Sequence, residues 1–185
     1  SKSGNLIFCG SKDDVLDRFY QVSKIFNPDH IVRITADCPI IDPKVIDLVI
    51  SEHLNSKADY TSNTLDVPYP DGQDVEVFTF KALFKTWKEA KLASEREHVT
   101  PFIKANERAF KINKVLSTEE LSKLRWTLDE KEDFELLTII FKELYKKDSL
   151  FCMQEVINLF NSNKNLFDIN KMHNREEGYR KSLEN

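Results

Sequence analysis

Glycine is scarce in this 185-residue sequence, with only Gly4, Gly10, Gly72 and Gly178 present. Proteins that cradle nucleotide phosphates usually bring the backbone close to them on a glycine-rich turn that opens a helix, and no such cluster occurs here. Cysteine is equally sparse. Cys9, Cys38 and Cys152 form neither a Cys-x-x-Cys pair nor an even set, which argues against a disulfide framework or a thiolate zinc site and suits a reducing compartment. No apolar run approaches membrane-spanning length and the N-terminus lacks a signal-peptide core, so the expected location is the cytoplasm, with no membrane partner. With 27 Lys and Arg against 31 Asp and Glu, the formal net charge is -4 and the basic residues are dispersed. No nucleic-acid partner is expected.

What is present suffices for a folded core. The chain is 41% hydrophobic, with no long tract poor in apolar residues, and reads as one domain over residues 1–185 whose last part, 161–185, is a polar tail. Residues 31–35 form a short β-branched run that leads into Asp37 and is stopped by Pro39 and Pro43, as a buried strand ends at a loop. In open α/β sheets ligands gather outside the carboxyl ends of the strands, so Asp37 stands where a metal or a polyanion is met. An acid after a strand is as readily a helix cap or turn former. Both readings stand on the local sequence.

The elements around it alternate. Residues 5–9 read as a strand, 13–26 as a helix and 43–54 as a second helix, with Asp42 as N-cap and Pro43 in its first turn. Strand, turn and helix in succession are half of a βαβ crossover, the unit of parallel sheets. A short strand over 59–63 runs out into an exposed loop over 64–72. From Asp74 to Phe80 the pattern alternates, which puts Asp74 and Glu76 on one face of a strand and Val75 and Val77 on the other. Two acids on one face form a polar wall, suited to sugar hydroxyls or simply to solvent. Residues 81–92 read as an amphipathic helix. Ser94 with Glu97 reads as a capping pair for the next one, leaving Arg96 and His98 near a helix N-terminus, where anions are favoured. Residues 110–112 and 124–128 read as two further strands, the second leading to Asp129 and a helix, and 149–160 as the last long helix.

Five blocks carry a resemblance. They are Arg33-Ile34-Thr35-Ala36-Asp37-Cys38-Pro39-Ile40-Ile41-Asp42-Pro43, Tyr69-Pro70-Asp71-Gly72-Gln73-Asp74-Val75-Glu76-Val77, Arg96-Glu97-His98-Val99-Thr100-Pro101, Leu124-Arg125-Trp126-Thr127-Leu128-Asp129 and Asn174-Arg175-Glu176-Glu177-Gly178-Tyr179. In this order they resemble the SpsF-type sugar cytidylyltransferases, relatives of the CMP-KDO and CMP-acylneuraminate synthetases. The resemblance implies a Rossmann-like α/β nucleotide-diphospho-sugar transferase fold, three layers about a mostly parallel mixed sheet. It also implies a member without its N-terminal nucleotide-binding segment, because the family begins with a strand and a basic, Gly-containing loop ahead of the region matched here.

The activity implied is transfer of CMP from CTP to a sugar or sugar acid with release of pyrophosphate, in polysaccharide or glycoconjugate biosynthesis. By the same resemblance Asp37 and Asp129 hold one Mg2+, and Asp74, Glu76, Arg96 and His98 line the substrate pocket. Arg33 either faces the phosphates or pairs with an acid beside its strand. Loss of the first strand and helix would bare a sheet edge, so a homodimer is expected. Two other classes remain open: a GT-A-like glycosyltransferase, which would release no pyrophosphate, and a non-catalytic remnant acting as an oligomerisation module.

Overall fold

A computed structural model describes residues 4–66, 69–146 and 149–175. Four strands form one sheet in the order β1 (His30–Arg33), β3 (Glu76–Thr79), β2 (Tyr60–Ser62), β4 (Ile112–Lys114). Strand β3 is antiparallel to both neighbours, whereas β2 and β4 are parallel. It follows that β1, β2 and β4 all point one way and β3 alone runs back between them. The sheet is mixed with three strands sharing a direction. Its register sets Arg33 directly opposite Glu76, and Glu76 opposite Ser62, so the carboxyl ends of β1 and β2 meet the start of β3.

Helices cover both faces. Alternation along β2 and β3 sends Tyr60 and Phe78 to one face, where they pack with Leu16 of α1 (Val15–Phe26), Ala82 and Leu83 of α3 (Phe80–Glu89) and Ile103 of α5 (Pro101–Ala105). Val75 and Val77 point the other way, onto Val45 and Val49 of α2 (Pro43–Ser56). These are the three expected layers. Helix α2 starts as its sequence dictates, with the Asp42 carboxylate accepting from Lys44 N at 2.8 Å and, through its other oxygen, from Met153 N at 2.7 Å. A third apolar cluster centres on buried Trp126 and joins α6 (Lys131–Leu144), α7 (Met153–Ser162) and Leu166.

Two expected strands are not strands. Residues 5–10 have no regular structure, and Leu6 and Ile7 are 80% and 73% exposed, because no neighbouring strand among the described residues supplies hydrogen-bond partners. The 124–128 segment is extended but forms only an isolated parallel bridge, Arg125 with Asp71. It is stitched on two sides. Asp71 N donates to Leu124 O at 2.9 Å and Trp126 N to Asp71 O at 2.7 Å, while Leu128 N and the Thr127 hydroxyl donate to Asp37 O at 2.8 and 3.1 Å. The loop read as exposed over 64–72 is buried in its later part, from Tyr69 to Gly72.

Gly72 makes that stitching possible. Its φ of +96° suits glycine, and a Cβ there would lie 2.6 Å from the carbonyl carbon of Trp126. Among the described residues no helix is long and apolar enough to cross a membrane.

Candidate active site

A cavity of about 570 Å³ opens at the sheet end where Arg33, Glu76 and Ser62 meet. Six of the seven residues singled out from the sequence line it: Arg33, Asp37, Asp74, Glu76, His98 and Asp129. Its other charged or hydroxyl-bearing walls include Asp71, Thr100, Lys104, Arg125, Thr127 and Arg175.

The cavity has two electrostatic ends. At one, Asp37, Asp71 and Asp129 stand close enough to affect each other. Burial and the nearby Asp37 charge raise the Asp129 carboxyl above its ordinary range, and burial raises Asp71 against the pull of Arg175 and Arg125. Arg125 is the counter-charge that lets them gather. Its buried guanidinium reaches Asp71 at 3.2 Å, Asp129 at 3.2 Å and the wholly buried Asp133 at 2.8 Å. Asn170 ties off the same group, donating to Asp133 Oδ1 at 2.8 Å and Arg125 O at 3.0 Å. Unpaired, a buried Arg or Asp would be costly; the single guanidinium orients its three carboxylates and offsets part of their charge.

At the other end Glu76 is buried among donors. Arg33 Nη1 meets its Oε2 at 2.6 Å, and Lys104 Nζ and the Thr100 hydroxyl meet Oε1 at 3.2 and 2.7 Å. The hydroxyl of fully buried Tyr60 also donates to Oε1. Burial alone would raise the Glu76 carboxyl, but Lys104 and Arg33 outweigh it and hold the group down at about 2. The Tyr60 phenol is pushed up by burial and by the Glu76 charge. His98 is held below its usual value, chiefly by burial and further by Arg33 and Lys104, against the upward pull of Glu97.

Asp74 lies between the two ends. It pairs with Arg175, whose Nη1 also donates to Tyr69 O at 2.7 Å, yet burial raises its carboxyl to about 7. Cys38, next to Asp37, is a buried thiol that burial pushes up to about 12. It sits 3.3 Å from the Thr35 hydroxyl and 3.6 Å from Asp37 Oδ1.

Arg96 is elsewhere. It lies on α4 (Ala93–His98) and clamps that helix to the start of α1, with Nε and Nη2 on the Asp14 carboxylate at 2.9 and 2.6 Å and Nη1 on Trp87 O at 2.8 Å. The expected Ser94–Glu97 cap is also displaced. The helix begins after Leu92, and Glu95 accepts from Lys91 N and Leu92 N at 2.9 and 3.0 Å, a shift that turns Arg96 away from the cavity. Sequence reasoning missed Arg125, Arg175 and Lys104 as site residues, although Arg125 and Arg175 stand inside the quoted blocks. Part of the last block, 176–179, lies outside the described residues.

Asp37 and Asp129 bring carboxylate oxygens, the donor type a hard divalent cation takes, to the acidic end, where Asp129 also meets Arg125 at 3.2 Å. Among the described residues no three His, Cys, Asp or Glu side chains group into a ready metal cage. Mg2+ seldom needs one, since it keeps several waters and takes one or two carboxylates with substrate phosphates, the donor set that Asp37 and Asp129 offer at one cavity edge. A second cavity, about 450 Å³, is lined by Pro39, Leu128 and apolar residues of α6, and carries no comparable chemistry.

The chain is similar to known proteins along most of its length. A family model described as cytidylyltransferase matches residues 4–174. An uncharacterised protein of Methanocaldococcus jannaschii is 38% identical over 178 residues, covering 94% of this chain and 70% of its own length. The spore coat polysaccharide biosynthesis protein SpsF of Bacillus subtilis is 30% identical over 165 residues, 88% of this chain and 67% of its own. A solved structure of a cytidylyltransferase from Leptospira borgpetersenii superposes with a TM-score of 0.84 at 32% identity, over 90% of this chain and 70% of that one.

Proposed function

Because this chain belongs to the cytidylyltransferase family, we propose that it transfers CMP from CTP to a sugar or sugar acid, releasing pyrophosphate, in the synthesis of surface polysaccharide or another glycoconjugate. The observation that carries the reading is the two-ended cavity at the carboxyl ends of the strands, carboxylates on one side and paired cations on the other. The relative named for spore coat polysaccharide synthesis supports a sugar acceptor.

In the proposed reaction a sugar hydroxyl attacks the α-phosphorus, the new P–O bond forms, and the bond to the β-phosphate oxygen breaks. Such a displacement asks the protein mainly for positioning and for neutralisation of phosphate charge. Asp37 and Asp129 are the residues to hold Mg2+, which when bound supplies Lewis-acid charge to phosphate oxygens. Arg125 keeps the acidic end from over-accumulating negative charge before substrate arrives. Asp74, balanced near neutrality at about 7, is suited to take the proton of the attacking hydroxyl. The working form is proposed to be a cytoplasmic homodimer.

The test is pyrophosphate release from CTP and Mg2+ with a panel of neutral and acidic sugars, for the wild type and for Asp37→Asn and Asp129→Asn. Release with at least one sugar, lowered roughly 100-fold or more in each variant, is the expected result. A folded wild type that releases none with any acceptor overturns the proposal. Sugar transfer from a nucleotide-sugar donor without pyrophosphate would indicate a glycosyltransferase instead.

A further inference from the structure

Glu76 is 3% exposed and already meets four donors: the Tyr60 and Thr100 hydroxyls and Lys104 Nζ on Oε1, and Arg33 Nη1 on Oε2. With about two lone-pair sites to each oxygen, Oε1 is saturated and buried Oε2 has little capacity left for a substrate hydroxyl. The expectation that Glu76 faces the sugar is therefore replaced by a different role. Its register partner across the sheet is Arg33, and Lys104 arrives on α5, the short helix that Pro101 opens one residue after Thr100. One carboxylate thus anchors two cations drawn from two different elements.

The charge does not cancel. Two cations against one carboxylate leave an excess of one positive charge, with the carboxylate sealed underneath and the Arg33 and Lys104 side chains 20% and 31% exposed on the cavity wall. An arrangement serving only to stabilise the fold would cover its cations or match them one to one. Here the uncompensated charge faces a half-enclosed space, where an anion is attracted more strongly than in bulk water. His98 on the same cavity wall adds further hydrogen-bonding atoms.

We infer that Arg33 and Lys104 form a seat for an oxyanion of the substrate, with Glu76, Tyr60 and Thr100 as the positioning residues that fix its geometry. The shared chemistry is a planar or tetrahedral oxyanion, and it has two possible sources: the carboxylate of a sugar acid or a phosphate of the nucleotide. This inference rests on the transferase reading for its choice of ligands. Its test does not.

Equilibrium binding is measured by calorimetry for CTP, inorganic pyrophosphate, the sugar acid N-acetylneuraminate and the methyl ester of that sugar acid, with the wild type, Lys104→Met and Lys104→Arg. At least one anionic probe is expected to weaken roughly tenfold or more in Lys104→Met and to recover in part in Lys104→Arg. Selective loss for the free sugar acid over its ester identifies the carboxylate; loss for CTP and pyrophosphate identifies the phosphate. If the folded wild type binds no anionic probe, or Lys104→Met binds all of them as the wild type does, the seat is refuted. Lys104-dependent binding without pyrophosphate release would leave the seat standing and remove the transferase reading, whereas release with unaltered KM values in Lys104→Met would do the reverse.

Tyr60→Phe separates positioning from mere packing. Losing the hydrogen bond to Glu76 loosens the carboxylate on which both cations are held, so affinity for the anionic probe is expected to fall roughly threefold or more at unchanged thermal stability. Unchanged affinity in Tyr60→Phe would remove Tyr60 from the positioning set.

Discussion

Gly72→Ala is the most informative single substitution in this protein, because a methyl group placed there collides only with backbone. The added Cβ would sit 2.6 Å from the Trp126 carbonyl carbon and 2.8 Å from both Trp126 O and Thr127 N, where ordinary contact begins near 3.4 Å. No side-chain rotation relieves this. The 125–127 segment must retreat by several tenths of an ångström, and alanine must also adopt a φ of +96°. The left-handed backbone costs about 1–2 kcal/mol and overpacking about 1–3 kcal/mol, so a loss of about 2–5 kcal/mol is expected.

For a chain of this size that corresponds to a fall in Tm of roughly 5–15 °C, measured by calorimetry or circular dichroism. Activity is expected to fall as well at a temperature where the variant is still folded. Leu128 N and the Thr127 hydroxyl both grip Asp37 O, so retreat of the segment moves Asp129 relative to Asp37. Misplacement on this scale typically costs about 10-fold to 100-fold in turnover. A Tm within about 2 °C of wild type, below the cost of even one such clash, would show that the close approach of the two segments is not what holds the site.

Three further outcomes follow from the charge arrangement. His53 is buried between His30 and Thr61, each 2.9 Å away, and burial followed by the His30 charge lowers it to about 4. Its neutral form therefore contributes stability that is full above about pH 6.5 and lost as pH falls toward 4. Urea unfolding should reveal a loss of about 2 kcal/mol between pH 7.5 and pH 5 that His53→Asn lacks, and equal losses in both proteins would refute the assignment. Asp74 carries the opposite shift, raised to about 7, so it is protonated in acid and ionises through neutrality. The pH profile of kcat/KM should bend near that value in the wild type and lose the bend in Asp74→Asn. Arg96→Met should lower stability by about 1–2 kcal/mol by opening the Asp14 clamp, while leaving KM for CTP and sugar within about twofold; a large KM change would return Arg96 to the site.

Local signals were legible wherever one segment decides its own geometry. Asp42 with Pro43 announces the start of α2, and alternation from Asp74 onward announces β3, because cap chemistry and a period of two are written in consecutive residues. The family resemblance, more than the acid-after-strand pattern, placed Asp37 and Asp129 together, and both line one cavity although 124–128 is not a strand. Pairing across the chain was not legible. Nothing adjacent to Glu76 in sequence says that its partners are Tyr60, Thr100, Lys104 and Arg33; alternation along β3 left its acidic face open to sugar or solvent, and only the family resemblance assigned Glu76 to the substrate.

Arg175 reaches Asp74 from 101 positions away, a contact no local pattern encodes. Arg96 failed for the converse reason. Its block is intact, but the direction of a side chain on a six-residue helix depends on which residue caps it, and Glu95 prevailed over Ser94.

The buried thiol of Cys38 gives the site a built-in reporter. Only a thiolate alkylates or oxidises readily, and a thiol raised to about 12 is almost wholly protonated at neutral pH. Exposed Cys9 can therefore accept a maleimide dye or spin label while the loop beside Asp37 stays unmodified. Modification of Cys38 then becomes a clock: any iodoacetamide that reaches it counts an excursion in which the loop carrying Asp37 has opened to water, and ligands that close the cavity should slow that clock without touching the sulfur.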